Sequence, residues 1–100
     1  MTVQALASYP GKGRLHPTLC KIDDCHVFLM AGWDGDFLKS CLRFSYHTNA
    51  WEQMPDLLVA RQGSASCQLG GNLYIFCGSN KVDGPLRSVE RIKITEDPID

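Results

Sequence analysis

The sequence repeats itself at intervals of 46 to 48 residues, and this repeat constrains the fold more than any other feature. The matched blocks are, in chain order, Arg14 to Ile22 with Arg61 to Leu69, Val27 to Gly32 with Leu73 to Gly78, and Leu38 to Phe44 with Leu86 to Ile92. The offset changes only at turn residues, near Asp23-Asp24 and after Ser79. Tandem β units keep matched strands in order and vary their loops, and a period in the upper forties is in the range of propeller blades.

Within each unit the residues favour short strands. Mainly apolar segments such as Leu19 to Ile22, which contains Lys21, and Val27 to Ala31 are separated by turn residues. Asp34-Gly35 and Gly70-Gly71 are tight-turn signals. The best helical candidate, residues 52–61, contains Pro55, which has no N–H to donate. We therefore expect an all-β fold of two antiparallel sheets of up to four strands, packed face to face.

Composition excludes several classes of function. The 100 residues carry 10 basic and 11 acidic side chains, so the chain has no basic footprint for nucleic acid and no polybasic anchor for a membrane. The longest apolar run, Val27 to Ala31, is far too short to cross a bilayer. Five cysteines and no export signal favour reduced thiols in the cytoplasm, or in the nucleus as the alternative.

These residues together resemble the Kelch repeat family. The family's blade has an Arg-led first strand, a second strand ending in Gly-Gly, a third strand carrying Tyr, and a Trp seven residues later. Phe44 and Trp51 occupy the last two places in the first unit. The chain departs from the pattern at Ala31 and Cys77, which stand where the first glycine of each pair belongs, and at Ile92, which replaces the aromatic residue.

The resemblance implies a division of the chain and a set of structural residues. Residues 1–13 are expected to be an N-terminal extension or the end of a preceding blade, residues 14–60 a first Kelch repeat, and residues 61–100 a second repeat that stops before its last strand. Glycine at the end of a strand allows neighbouring backbone to approach closely. Large aromatic rings fill the space between stacked sheets. Arginine can donate hydrogen bonds to carbonyl oxygens or to an acidic side chain of the next blade. The residues expected in these structural roles are Arg14, Gly32, Phe44, Trp51, Arg61 and Gly78.

Two blades are fewer than a closed propeller has, since such rings have 4–8 blades. Two stacked blades leave two apolar faces uncovered. Three alternatives follow: the sequence is a fragment of a longer protein, several chains assemble into a ring, or partner blades come from elsewhere. We expect a fragment.

No motif for metal binding or catalysis stands out. Structural zinc needs four ligands in tight pairs, and the nearest pair here is Cys20-x4-Cys25. Cys25 and His26 are adjacent and would face opposite sides of a strand, and Cys20 and Cys67 share one repeat position, which favours small buried side chains. Asp34-Gly35-Asp36 lacks the later ligands of a calcium loop. No nucleophile elbow or phosphate loop occurs. We therefore expect no metal, no cofactor and no enzymatic activity. The alternative is part of a propeller enzyme of galactose-oxidase or epimerase type, whose metal-ligand motif this chain does not show.

The resemblance implies a protein-interaction module that binds through loops at one mouth of the ring. In this family such propellers are often joined to a BTB domain, as in ubiquitin-ligase adaptors, or bind cytoskeletal proteins. Exposed aromatic residues in such loops are typical interface anchors, whereas the alternative for Phe37 is that it packs under its own hairpin. The residues expected to contact a protein partner are Trp33, Asp34, Asp36, Phe37, Gln62, Ser64, Ser79 and Asn80.

Overall fold

The computed structural model of the chain describes residues 1–94, which form only strands, turns and connecting segments. The strands are β1 (Thr18–Lys21), β2 (His26–Trp33), β3 (Phe37–Ser45), β4 (Ala50–Met54), β5 (Ala65–Leu69), β6 (Asn72–Phe76), β7 (Ser79–Asn80), β8 (Gly84–Pro85) and β9 (Val89–Lys93). No helix is found in these 94 residues, and the all-β prediction is confirmed. The described residues accordingly contain no helical segment with the length and hydropathy of a bilayer crossing.

The first sheet is an antiparallel meander of four strands in the order β1-β2-β3-β4. Its turns lie where the sequence predicts them, at Asp23-Asp24 and around Gly35. The second hairpin is tighter than expected, because β2 extends through Trp33, which pairs with Phe37. Trp33 is therefore the last residue of a strand and not part of the turn.

The second sheet repeats this arrangement with strands β5-β6-β9, and β7 and β8 form a separate two-stranded hairpin beyond it. The interruption falls at Cys77-Gly78, where both residues have positive φ angles of 60° and 88°. The equivalent pair in the first unit, Ala31-Gly32, has φ angles of 61° and 106° and shifts the register between β2 and β3. The same backbone irregularity thus occurs once in each unit.

The two sheets pack face to face, as expected from the sequence, and enclose the hydrophobic core. Phe28, Met30 and Cys41 contribute from the first sheet, and Leu73 and Ile75 contribute from the second. Burial of each large aliphatic or aromatic side chain stabilises the fold by about 1.5–3 kcal/mol. Because core residues come from both sheets, the core lies between the two units. Each unit therefore depends on the other for its stability.

Two aromatic residues expected between stacked sheets, Phe44 and Trp51, lie on one face of the first sheet. Phe44 and Trp51 pair across β3 and β4, and their ring centroids are 5.1 Å apart. They lie on the outer face of the first sheet and not between the two sheets, because the register places the core residues Met30 and Cys41 on the opposite face. The inner face of this sheet contributes Phe28, Met30 and Cys41 to the core.

The structure can be compared with the expected three-part division of the chain at both ends and at the boundary between the two repeats. Residues 1–13, expected to be an N-terminal extension or the end of a preceding blade, form no strand. The boundary expected at residue 61 falls in the connection between β4 and β5. Residues 95–100, the expected end of the second repeat, lie outside the described residues. The three-part division itself stays a prediction.

Candidate functional site

Paired backbone hydrogen bonds bring the loops of both units to one end of the molecule. In the first unit, Leu15 and Trp33 exchange two hydrogen bonds with N···O distances of 2.7 and 2.8 Å. In the second, Gln62 and Ser79 exchange two of 2.9 and 3.0 Å. The amide of Gly63 donates to the carbonyl of His16 at 2.9 Å and joins the two pairs. We call this connected surface, formed by residues 14–17, 33–37, 61–64 and 79–85, the loop end.

Arg61 fastens the loop end to the second sheet. Its side chain is fully buried and donates to the carbonyl oxygens of Cys77 and Ser88 at 2.9 and 3.1 Å. It also donates to the hydroxyl of Ser88 at 2.9 Å and forms an ion pair with Glu90 at 3.0 Å. These bonds satisfy a carbonyl at the left-handed residue Cys77, where the strand is interrupted. Arginine suits this position because its planar group offers five donors in a fixed fork.

Arg14 repeats this scheme in the first unit. It donates to the carbonyl oxygens of Ala31 and Ser40 at 2.9 and 3.0 Å and to the hydroxyl of Ser40 at 3.1 Å. In place of an acidic partner it contacts Tyr9, bonding its hydroxyl and lying 4.9 Å above its ring. The repeat seen in the sequence is therefore also a repeat of hydrogen bonds.

Gly32 and Gly78 allow the close backbone contacts of the loop end. A Cβ atom on Gly32 would lie 2.8 Å from the carbonyl oxygen of Leu15, and one on Gly78 would lie 2.5 Å from that of Gln62. Both distances are impossible without movement of the backbone. The amide of Gly32 also donates to the carbonyl of Arg61 at 2.8 Å, which ties the two units together.

The first predicted group of partner-contacting residues lies around the β2–β3 turn. Trp33 is 38% exposed and Asp36 is exposed, whereas Asp34 and Phe37 are half-buried. Asp34 closes the turn through its carboxylate, which accepts a hydrogen bond from the amide of Asp36 at 3.2 Å. The structure therefore brings these four residues together at the loop end with the Trp33 ring accessible.

The second predicted group, on the neighbouring unit, is less available to a partner. The Asn80 side chain donates to the carbonyl of Ala60 at 2.8 Å and accepts from the amide of Asp83 at 2.8 Å, so it holds its own loop in place. The Ser64 hydroxyl is buried. Gln62 and Ser79 are half-buried and are bonded to one another. Their main role in the structure is to position the loops.

Two exposed apolar residues of the loop end are not among the eight residues expected to contact a partner. Leu15 is exposed beside Trp33, and Val82 is 91% exposed in the turn between β7 and β8. The signal for Val82 is an apolar side chain between the charged residues Lys81 and Asp83, which follow the predicted contact residues Ser79 and Asn80. The loop end therefore carries exposed apolar side chains in both units.

Glu90 is a further residue that sequence reasoning did not single out. Its carboxylate is nearly buried and accepts hydrogen bonds from the amides of Leu58 and Val59 at 2.6 and 3.1 Å, as well as from Arg61. It therefore joins β9 to the connection between the units. Its equivalent in the first unit is Leu42.

The described residues contain no group of three or more His, Cys, Asp or Glu side chains placed to hold a metal ion. Burial raises the pKa of the Cys41 thiol to about 11, so this thiol stays protonated and unreactive at neutral pH. The amide of Cys25 and the His26 side chain lower the pKa of Asp23, which lies in an exposed turn remote from the loop end.

Comparisons with known proteins agree with the repeat. A family model described as the Kelch motif matches residues 18–58. Kelch-like protein 36 from Bos taurus is 31% identical over 71 residues, which is 68% of this chain and 11% of that relative. The proteins of the same name from Rattus norvegicus and Mus musculus are each 30% identical over 71 residues. The match thus spans about one ninth of the length of these curated relatives.

Proposed function

Because the chain belongs to the Kelch repeat family, we propose that it binds another protein through the loop end and acts by binding, without catalysis. The connected hydrogen bonds of residues 14–17, 33–37, 61–64 and 79–85 fix this surface from both units. A surface held by backbone bonds loses little conformational freedom when a partner binds.

One observation carries this proposal: Leu15, Trp33 and Val82 expose apolar side chains at the same end of the molecule. Buried tryptophan is among the residues that contribute most to protein interfaces, and nearby apolar side chains exclude water around it. Asp36, Lys81 and the neighbouring acidic residues surround this surface with charges of both signs. We therefore propose a partner segment that presents an apolar anchor and has no strong net charge.

The wider role that we propose follows from the family. It is that of a substrate-recognition or scaffold part of a larger protein, such as a ubiquitin-ligase adaptor or a cytoskeletal binder. We place it in the cytoplasm, with the nucleus as the alternative. All five cysteines are free thiols, which suits a reducing compartment.

The test selects peptide ligands for the 100-residue chain from a displayed library and titrates the recovered peptides against variants. Trp33→Ala removes the central ring of the loop end. We expect it to weaken binding by up to about 30-fold, the equivalent of about 2 kcal/mol. The matched control is Tyr46→Ala, which removes an exposed aromatic ring after the far end of β3.

The proposal requires Trp33→Ala to weaken binding while Tyr46→Ala leaves it unchanged. Circular dichroism confirms that both variants keep the strand content of the parent chain. If the recovered peptides bind Trp33→Ala as tightly as the parent, the loop end is not the binding surface.

A further inference from the structure

Two Asp-Gly pairs occur in the chain, and both lie at the loop end. They are Asp34-Gly35, in the turn between β2 and β3, and Asp83-Gly84, where β8 begins. No other glycine in the sequence follows an aspartate or an asparagine. Asp-Gly is chemically labile, because glycine has no side chain to hinder an attack of its own backbone nitrogen on the preceding carboxyl group. The two pairs can therefore be compared within one molecule.

The backbone nitrogen of Gly35 is free to react. In the part of the chain that the structure describes, its amide donates no hydrogen bond, although the neighbouring amides of Asp34 and Asp36 both do. Gly35 is exposed, and its φ angle of 117° lies in a region that glycine adopts readily. A Cβ built on Gly35 would meet one atom within 4 Å outside its chain neighbours, the side-chain nitrogen of Lys12. The turn thus leaves room for a ring to form on the Gly35 nitrogen.

The carboxyl group of Asp34 lies on the same turn and is weakly held. One of its oxygens accepts a hydrogen bond from the amide of Asp36 at 3.2 Å, which is at the long end of the range for such bonds. This bond folds the carboxyl group back over the turn that contains the Gly35 nitrogen. The reacting nitrogen and the carboxyl group are therefore adjacent, and neither is held by a short hydrogen bond.

The second Asp-Gly pair is held in both of its parts. Gly84 pairs with Asn80 in the β7–β8 ladder. Because the next residue, Pro85, has no N–H, Asn80 and Gly84 are the pair that exchanges both backbone hydrogen bonds, one of them from the Gly84 amide. The Asp83 carboxylate accepts from the Asn80 side chain at 3.3 Å, and the Asp83 amide donates to that side chain at 2.8 Å. Reaction at this pair requires that these bonds break first.

We propose that Asp34-Gly35 is a site of spontaneous isoaspartate formation in the folded chain, whereas Asp83-Gly84 is protected. The Gly35 nitrogen attacks the side-chain carboxyl carbon of Asp34. A C–N bond forms, a C–O bond breaks, and the amide hydrogen leaves with the hydroxyl group as water. Water then adds to the main-chain carbonyl carbon of Asp34 in the resulting succinimide ring, and the original peptide C–N bond breaks. The product has the composition of the parent chain, because one water leaves and one enters.

The isoaspartyl linkage changes the geometry of the β2–β3 turn. The main chain now runs through the side chain of residue 34, so the backbone is longer by one methylene group and a free carboxylate remains on the α carbon. The carboxylate that accepted the hydrogen bond from Asp36 becomes a peptide carbonyl. The turn that sets the pairing of Trp33 with Phe37 is lengthened. Trp33 therefore loses its fixed position at the loop end.

The free carboxylate of the isoaspartyl linkage also defines an enzyme that acts on the aged chain. Methyltransferases specific for isoaspartate transfer the methyl group of S-adenosylmethionine to an oxygen of this carboxylate. A methyl ester forms, and S-adenosylhomocysteine is released. Gly35 and Asp36 are exposed, so the carboxylate at residue 34 lies in a turn that such an enzyme reaches. The aged chain is thus a substrate for a carboxyl methyltransferase of this class.

Ageing of the full 100-residue chain at physiological temperature and neutral pH tests the proposal. Samples taken over several weeks are digested with trypsin, which places Asp34 and Asp83 in separate peptides, residues 22–39 and 82–87. Electron-transfer fragmentation distinguishes isoaspartate from aspartate at each site. We expect isoaspartate to form at least about tenfold faster at Asp34 than at Asp83, because hydrogen bonds must break before the second pair reacts.

The same measurement in guanidinium chloride separates the effect of structure from that of local sequence. Unfolding removes the ladder bonds of Gly84 and the contacts of Asn80, so the two sites should form isoaspartate at similar rates. The proposal is overturned if the folded chain forms no isoaspartate at Asp34 or forms it equally fast at both sites. It is also overturned if the advantage of Asp34 persists unchanged in guanidinium chloride.

The substrate claim is measured on the intact aged chain with tritiated S-adenosylmethionine and an isoaspartate-specific methyltransferase. Asp34→Glu should remove most of the label, because cyclisation through the longer side chain is much slower. The matched control Asp83→Glu should be labelled like the parent chain. Circular dichroism confirms that both variants keep the strand content of the parent. Label that survives in Asp34→Glu, or that disappears in Asp83→Glu, overturns the assignment of the site.

Discussion

Replacement of Arg61 by methionine gives the sharpest test of how the loop end is held to the second sheet. Methionine keeps much of the length of the side chain and removes its charge and donors. The change leaves the carbonyl oxygens of Cys77 and Ser88 without their donor and leaves the Glu90 carboxylate, 9% exposed, without its cation. Removal of one partner of a buried ion pair costs about 3–5 kcal/mol, and we expect a loss in this range.

Arg14→Met is the matched control, because Arg14 makes the equivalent bonds without an acidic partner. Its carbonyl partners, Ala31 and Ser40, lose their donor, but no buried carboxylate is left behind. Arg14 is also only half-buried, so water replaces part of the lost bonding. We expect a loss of about 1–2 kcal/mol, the cost of unsatisfied polar groups that are partly rehydrated.

A second substitution separates the ion pair from the carbonyl bonds. Glu90→Leu introduces the residue that the first unit has at the equivalent position, Leu42. In the Arg61→Met background it removes a nearly buried carboxylate that has lost its cation, and it also removes that carboxylate's hydrogen bonds to the amides of Leu58 and Val59. Because Leu58 is 86% exposed, water replaces part of the lost bonding, and we expect a recovery of about 1 kcal/mol, as replacement of buried pairs by apolar residues gives.

The assay is urea unfolding followed by circular dichroism, at one fixed chain concentration because association shifts apparent stability. Trimethylamine N-oxide keeps the weakest variants folded, and the midpoints are compared at equal osmolyte concentration. The reasoning is refuted if Arg61→Met costs no more than Arg14→Met, or if Glu90→Leu destabilises the Arg61→Met chain further.

Three further predictions concern single residues. Gly78→Ala should lower the free energy of unfolding by about 2–4 kcal/mol, because its Cβ would lie 2.5 Å from a carbonyl oxygen. The control Gly70→Ala lies in open space at a φ of 58° and should lower it by about 1–2 kcal/mol. Equal urea midpoints for the two variants would contradict this prediction. Cys77→Gly should raise the free energy of unfolding by up to about 1 kcal/mol, since it relieves a left-handed conformation at an exposed site, and a lowered melting temperature would count against it. Burial raises the pKa of the Cys41 thiol in the folded chain to about 11, above its ordinary value of 9.0. The thiol's contribution to the free energy of unfolding is therefore present below pH 9 and is lost as the pH rises towards 11. Cys41→Ala should flatten the curve of stability against pH between pH 9 and 11 relative to the parent chain.

The sequence was sufficient to predict the strands, the turns and the packing of two repeated sheets. Matched blocks in a fixed order specify the units, and apolar alternation specifies the strands. Alternation did not show which face of the first sheet is buried, because both faces carry apolar residues. The register places Phe44 and Trp51 on the face opposite the core residues Met30 and Cys41, and their expected place between stacked sheets stays a prediction.

The loop end was predicted in part. The positions of Trp33 and Asp36 followed from the β2–β3 turn, and their use by a partner stays a prediction. The sequence predicted Asn80 to be as accessible to a partner as Trp33 and Asp36. An asparagine that points into water and one that closes its own turn occur in the same kind of loop sequence, so the sequence does not distinguish them. The role of Glu90 depends on the approach of Leu58 and Val59 from the other unit, and a contact between residues 31 or 32 positions apart has no local signal.

The central claim is that two equivalent units repeat one hydrogen-bond scheme and thereby carry their loops to the same end. Scalar couplings across hydrogen bonds, measured by NMR on the isotope-labelled chain, test it most directly. The account predicts three couplings, each between an amide nitrogen and the carbonyl carbon that accepts its hydrogen bond. The pairs, with the amide residue first, are Leu15 and Trp33, Gln62 and Ser79, and Gly32 and Arg61. A spectrum that shows the first coupling without the second, or both without the coupling from Gly32 to Arg61, would contradict it.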